Sequence, residues 1–295
     1  MIGRLLYKAR HLARQSPRLI YARDIVRPRI LNTAPVTGTT DTDAELHVLT
    51  STGDWLNLIW SLKSFYAQTG RSYALAIHGD PDLPAEAVTA LRHHFPDARV
   101  IEQSDARDAV LDSLSGHPRC RRLRETNTLS IKSFDFAHFL NSDRMILFDS
   151  DLLFFDRPTA FLDRLDDRNR RVNAYNADVD TAYAVDIDTI RAHGFDIVPQ
   201  INSGFGLVHR DSLNLDWMEE FLGIPGMMEG HFWRIEQTLF ALSGSRFGAE
   251  LLPEDYRVFL QGDVGDKPYR HYVGAVRNQM YTEGMRRLQG ALLTT

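Results

Sequence analysis

Between Glu45 and Glu102, apolar runs of strand length alternate with stretches of helical period, and no other feature restricts the fold of this chain so tightly. Leu46-His47-Val48-Leu49-Thr50 reads as a buried strand. Beyond Ser51-Thr52-Gly53-Asp54, the residues Trp55, Leu58, Ile59, Leu62, Phe65 and Tyr66 fall on one helical face, and Gly70 is the expected left-handed stop. The pattern then repeats, with a strand over 73–79, a helix from Pro84 to Phe95 with proline in its first turn, and a strand over 98–102. Strands joined in this order by helices must run parallel with right-handed crossovers. The sequence therefore predicts an α/β fold: a doubly wound, mostly parallel central sheet with helices on both faces. A further helix around Asn127 to Asn141 leads into the apolar strand Arg144-Met145-Ile146-Leu147-Phe148-Asp149, and apolar runs at 172–177 and 204–208 extend the sheet.

With 295 residues, 43% of them hydrophobic, the chain has enough apolar surface for one large domain, placed here at 45–295. A formal charge of -5 argues against a nucleic-acid partner, which needs clustered cations over a broad surface. The ends differ, however. Residues 1–30 carry eight basic side chains against the single acid Asp24. Within 1–31, Ile2, Leu5, Leu6, Ala9, Leu12 and Ala13 recur at helical spacing until Pro17 interrupts them. This basic amphipathic segment reads as a helix lying on an anionic membrane; packing on its own domain or a partner, or an organelle transit peptide, are the alternatives. Residues 32–44, small and polar, read as a linker. One cysteine, Cys120, and no run of apolar residues long enough to span a bilayer suit a cytoplasmic chain, peripheral on the inner membrane face.

Dinucleotide, phosphate-loop and nucleophile-elbow motifs are missing after the first strand, which leaves acid chemistry. Asp-x-Asp occurs five times, at Asp41/Asp43, Asp80/Asp82, Asp149/Asp151, Asp178/Asp180 and Asp186/Asp188. Only Asp149-Ser150-Asp151 ends a strongly apolar strand and is followed at once by another apolar run, Leu152 to Phe155. Ligands of open α/β sheets collect at such carboxyl ends, and carboxylates two apart in extended chain face one way and can share a divalent ion. The other four pairs read as solvated surface acids.

Leu147-Phe148-Asp149-Ser150-Asp151-Leu152 resembles the DxD strand end of the GT-A nucleotide-sugar-dependent glycosyltransferases, family 8 in particular, the glycogenin and galactosyltransferase-like enzymes. Asn202-Ser203-Gly204 resembles that family's segment lining the donor sugar, and Glu236-Gln237 its acidic pair beside the reacting carbon. His271, Gly274 and Arg277 match its terminal HxxGxxK, with arginine in place of lysine. The likeness covers roughly Glu45 to Asn278. It implies a retaining transfer of a hexose from a UDP-sugar to an acceptor hydroxyl, with a carbohydrate or glycolipid, lipid-linked or cell-envelope, as acceptor. Inverting transfer, with a carboxylate such as Glu236 or Asp178 deprotonating the acceptor, or nucleotide-sugar binding without turnover, are the rival readings.

The chemistry of these residues is coherent. Asp149, Asp151 and His271 would hold a divalent cation, and an imidazole among oxygens favours Mn2+ over Mg2+. Arg277 offers a permanently charged fork to a diphosphate. Lys132 lies where the family carries a basic residue touching donor phosphate or sugar; a solvated i,i+3 ion pair with Asp135 is the alternative. Thr50, Ser51 and Asp54 end the first strand at the usual nucleoside site of this fold, with Asp80 at the end of the second. Ser150, Asn202, Ser203, Gly204 and Gly274 complete the donor site, the glycines allowing close approach or positive φ. Glu236 and Gln237 are the catalytic candidates, and Trp233, one turn before them, reads chiefly as core packing with sugar stacking as the alternative.

Overall fold

The computed structural model describes residues 16–294. Nine strands occur among them: β1 (Asp41–Thr50), β2 (Tyr73–Gly79), β3 (Arg99–Ile101), β4 (Arg144–Phe148), β5 (Leu152–Phe154), β6 (Asn173–Ala177), β7 (Ile201–His209), β8 (Ala249–Leu251) and β9 (Tyr269–His271). Seven of them form one sheet in the order β3-β2-β1-β4-β7-β6-β8, while β5 and β9 pair separately. The neighbours β3, β2, β1 and β4 are mutually parallel, and β7 runs antiparallel to both β4 and β6. Order reverses at β1, whose parallel partners β2 and β4 lie on opposite sides, so a crevice opens at the carboxyl ends of β1 and β4.

The helices that matter for the site are α1 (Trp55–Thr69), α2 (Ala85–His94), α3 (Gln103–Ser113), α4 (Pro118–Thr126), α5 (Ile131–Phe139) and α6 (Phe232–Phe247). The end of α1 is as expected: Gly70 adopts φ 61° and its N–H donates to the carbonyl of Tyr66. Strand side chains alternate between two cores. Leu46, Val48, Leu75, Ile77, Ile146, Phe148 and Leu207 pack with Leu58, Leu62 and Phe65 of α1. Met145, Leu147, Tyr175 and Val208 face the opposite side, against Phe134 of α5 and Leu239 and Phe240 of α6. Periodicity passes over Gln103 to Thr126, which folds as α3 and α4 because Val110, Leu114, Cys120 and Leu123 reach the second core between charged neighbours.

Two expectations change at the N-terminal side. The stretch 32–44 is no free linker: β1 begins at Asp41 rather than Glu45, Thr33 and Thr39 are buried, and the Val36 N–H donates to His94 O at 2.8 Å. Its polar residues find backbone partners on the domain, which composition alone does not disclose. Pro17 opens a helix: with Ser16 as N-cap, residues 17–32 form a continuous helical run that buries Leu19, Ala22, Val26 and Ile30, so this part of the basic segment packs on the domain. The expected amphipathic helix over the first sixteen residues lies outside the described residues. No described helix is long and apolar enough to cross a membrane.

Candidate active site

The Asp149-Ser150-Asp151 turn is where the chain leaves the large sheet for the small one. Phe148 before it and Leu152 to Phe154 after it are fully buried, and Phe65, Phe148, Phe154 and Phe205 lock together with ring centroids 5.1–6.2 Å apart. Burying each such ring stabilises the fold by roughly 1.5–3 kcal/mol, which fixes the polar turn between them. The Asp149 N–H donates to Gly204 O at 2.8 Å, extending the β4–β7 ladder, and the Tyr272 N–H donates to Asp151 O at 3.0 Å. In the register of β5 with β9, Leu152 faces His271. A three-residue ladder thus carries an imidazole across 120 positions of sequence to the aspartates.

His271 Nε2 lies 3.0 Å from Asp151 Oδ1 and 3.6 Å from Asp149 Oδ2. One ligand atom from each of the three residues falls within 4.8 Å of the others, and two oxygens with one nitrogen suit a divalent cation. The aspartates reach the imidazole through a turn rather than the extended chain expected. Burial penalises the Asp151 carboxylate, yet His271 and Arg277 hold it at about 2. His271 is raised above its usual value by Asp151 despite burial. Gly204 lies beneath the ring: a Cβ there would come 2.2 Å from His271 Cε1. None of the site glycines has positive φ; Gly204 answers to close packing, and Gly274 has open space around it.

Arg277 bridges the two sides of the crevice. Its Nη2 lies 2.8 Å from Asp151 Oδ2, and its Nη1 donates to Asp54 Oδ1. Asp54 precedes α1 but makes no capping bond to it, so its carboxylate serves Arg277, Asn57 and Ser51. Lys132, buried on α5, donates to Asp149 Oδ1 at 2.8 Å and Ser203 O at 2.9 Å, and lies 3.2 Å from Glu236 Oε1. It does not pair with Asp135, which Arg124 takes at 2.5 Å. Burial pushes the Glu236 carboxyl up to about 7 against the pull of Lys132. Ser203 Oγ donates to Glu236 Oε2 at 2.9 Å. Gln237 is held at both ends: Oε1 accepts from Asn202 Nδ2 at 3.3 Å, and Nε2 donates to Ala182 O at 3.1 Å and Asp178 Oδ2 at 3.4 Å.

One cavity of about 760 Å³ takes in the metal, donor and catalytic candidates from the sequence: Thr50, Ser51, Asp54, Asp80, Lys132, Asp149, Ser150, Asp151, Asn202, Ser203, Gly204, Glu236, Gln237, His271, Gly274 and Arg277. At its β1 end Thr50 Oγ1 is buried without a partner, and burial, followed by Asp82, raises the Asp80 carboxyl. Asp178 and Asp180, set aside as a solvated pair except for Asp178 as a possible base in inverting transfer, line the same cavity. Asp178 is buried and accepts from Asn202 Nδ2 at 3.0 Å, and its position directly after the apolar strand β6 was the available signal. Trp233 lines the cavity half-exposed instead of packing in the core, beside exposed Phe232, Val179 and Leu260.

No protein-family model matches the chain, and neither does any curated protein sequence. Solved structures do. The apo form of mouse xyloside xylosyltransferase 1 superposes with a TM-score of 0.53 at 13% identity, over 79% of this chain and 98% of that one. The galactosyltransferase LgtC, in complex with donor and acceptor sugar analogues, gives 0.53 at 12% identity, over 85% and 97%. The glycosyltransferase GlyE of Streptococcus pneumoniae gives 0.50 at 12%, over 86% of this chain and 61% of that one. The chain has the GT-A fold of these glycosyltransferases.

Proposed function

We propose that this protein is a metal-dependent glycosyltransferase that moves a hexose from a UDP-sugar to a hydroxyl of a carbohydrate acceptor. The observation carrying this reading is the meeting of Asp149, Asp151 and His271 with two cations, Lys132 and Arg277, in one cavity of a GT-A fold. Asp149, Asp151 and His271 would hold Mn2+, which supplies positive charge against the diphosphate as it leaves. Arg277, already turned into the site by Asp54 and Asp151, would donate its fork of N–H groups to phosphate oxygens. The nucleoside would lie over Thr50, Ser51 and Asp80 at the β1 and β2 ends, with the unpartnered Thr50 hydroxyl free to bond it.

The sugar would then rest against Asn202, Ser203 and Gly204, with Glu236 and Gln237 beneath its reacting carbon. Both of these side chains are already committed. Glu236 is engaged by Ser203 and Lys132, and Gln237 by Asn202, Asp178 and Ala182. This arrangement supports positioning over nucleophilic attack, and hence retention by same-face entry of the acceptor. The bond from the anomeric carbon to phosphate oxygen breaks, the acceptor oxygen bonds that carbon, and its proton passes to the departing phosphate. Trp233, Phe232, Val179 and Leu260 at the cavity mouth offer an apolar platform for the acceptor ring.

The test is a UDP-sugar panel assayed for UDP release with and without Mn2+, on wild type and Asp151→Ala. Release that needs the ion and disappears in the variant is expected, with the product anomer read by NMR. A protein that binds UDP but releases none from any donor would be a nucleotide-sugar binder without turnover.

A further inference from the structure

Five large apolar side chains are exposed among the described residues: Tyr21, Ile25, Val179, Phe232 and Leu260. The last three line the mouth of the active-site cavity, where an acceptor accounts for them. Tyr21 and Ile25 have no such explanation, and they are the most exposed of the five, at 58% and 56%. They lie four residues apart on the helical run of residues 17–32, with exposed Arg18 and Arg29 before and after them at helical spacing.

The opposite face of this run is held to the domain. Leu19, Ala22 and Ile30 belong to the core, Trp60 Nε1 donates to Arg27 O at 2.9 Å, and the Arg27 guanidinium sits 5.4 Å from the Tyr281 ring centroid. Arg18 Nη2 donates to Thr282 O at 3.2 Å, which ties the start of the run to the C-terminal segment. The orientation of the outward face is therefore fixed by packing. Asp24, the one acid there, is neutralised by Arg23 at 2.7 Å. What faces outward is two apolar side chains framed by cations, and the sequence ahead of the run adds Arg4, Lys8, Arg10 and Arg14 without an acid.

We infer that this face docks the enzyme on an anionic lipid bilayer, with Tyr21 and Ile25 entering the headgroup boundary and Arg18 and Arg29 meeting acidic headgroups. Charge complementarity selects the occupant: an apolar pair framed by Arg18 and Arg29, with Asp24 offset by Arg23, carries a net positive surround that matches an acidic interface and repels a second copy of itself. Anchored in this way, the crevice keeps one orientation to the membrane, because the run packs on the same domain that holds the site.

The test is flotation of the full chain with phosphatidylcholine vesicles, with and without phosphatidylglycerol, at low and raised salt. Wild type should float only with the acidic vesicles and be released by salt. Arg18→Gln/Arg29→Gln should weaken partitioning by about thirtyfold, from the attraction each basic residue gains near such a surface. Tyr21→Ser/Ile25→Ser should weaken it even at low salt. Tyr21→Ser/Ile25→Ser and Arg29→Gln alone touch exposed side chains with no bond to the domain and should melt with wild type, which separates lost docking from the loss of the Arg18 bond to Thr282. Wild type that stays unbound, equal binding to neutral vesicles, or variants that float like wild type would overturn the inference. So would a soluble wild-type dimer that Tyr21→Ser/Ile25→Ser turns into a monomer, which would assign the face to a second copy.

Discussion

Replacing Gly204 with alanine should damage the metal centre without touching any ligand. The added Cβ would lie 2.2 Å from His271 Cε1 and 2.8 Å from Asn202 Oδ1, and every atom concerned is buried. Regaining ordinary contact requires the imidazole to retreat by about 1 Å, a shift on the scale at which misplaced catalytic groups lose much of their effect. β9 holds the His271 backbone against β5, so the displacement falls on the imidazole itself. The 3.0 Å approach of Nε2 to Asp151 should therefore open. Overpacking of this kind costs about 1–3 kcal/mol, seen as a fall of several degrees in Tm. Disturbing the support of a ligand lowers metal affinity by about 10–100-fold. Isothermal titration with Mn2+, alongside UDP release, measures both effects. A Gly204→Ala protein with wild-type Mn2+ affinity and turnover would refute the argument that this glycine exists to seat the imidazole.

Arg277→Lys keeps one positive charge but cannot reach Asp54 and Asp151 together, so donor KM should rise by about tenfold with a smaller change in kcat. Trp233→Ala should raise the acceptor KM while leaving Mn2+-dependent hydrolysis of the donor intact, since the indole lines only the cavity mouth. Away from the site, burial opposes ionisation of Glu45, but His47, the Asn141 N–H at 2.7 Å and Arg99 hold its carboxyl at about 2. Because the folded value is depressed, this stabilisation is complete above the ordinary carboxylate range and is lost as pH falls from about 4.5 towards 2. It amounts to at most about 3 kcal/mol. Urea titrations across that window should show a shallower fall in stability for Glu45→Gln than for wild type, the remainder coming from other depressed carboxylates such as Asp151.

The alternating half of the fold was legible because β1, α1, β2 and β4 are long enough to display a period, and because Gly70 has one conformational use. The aspartates of the site were legible for a related reason: an acidic pair interrupting fully apolar chain must sit at a strand end. The small sheet was not legible. Three-residue strands show no period, so His271 could be placed by resemblance but not by pattern. The antiparallel course of β7 was hidden too, since a strand buried on both faces reads alike in either direction. Asp178 shares its Asp-x-Asp pattern with the solvated pairs, and its burial and the bond from Asn202 set it apart from them. The joint hold of Asp54 and Asp151 on Arg277 depends on the crevice between β1 and β4, which no local window contains.

The ladder of β5 with β9 has a thermodynamic meaning beyond the placement of one ring. Joining position 271 to position 151 closes a long loop, and a ladder of three residue pairs is part of what offsets the entropy of that closure. Any ligand gripped from both sides would act as a clasp, with its binding energy counted again as resistance to unzipping the C-terminal portion. Amide exchange at Tyr269 to His271 should therefore slow in step with Mn2+ saturation, making the occupancy of the centre readable in the fraying of a strand.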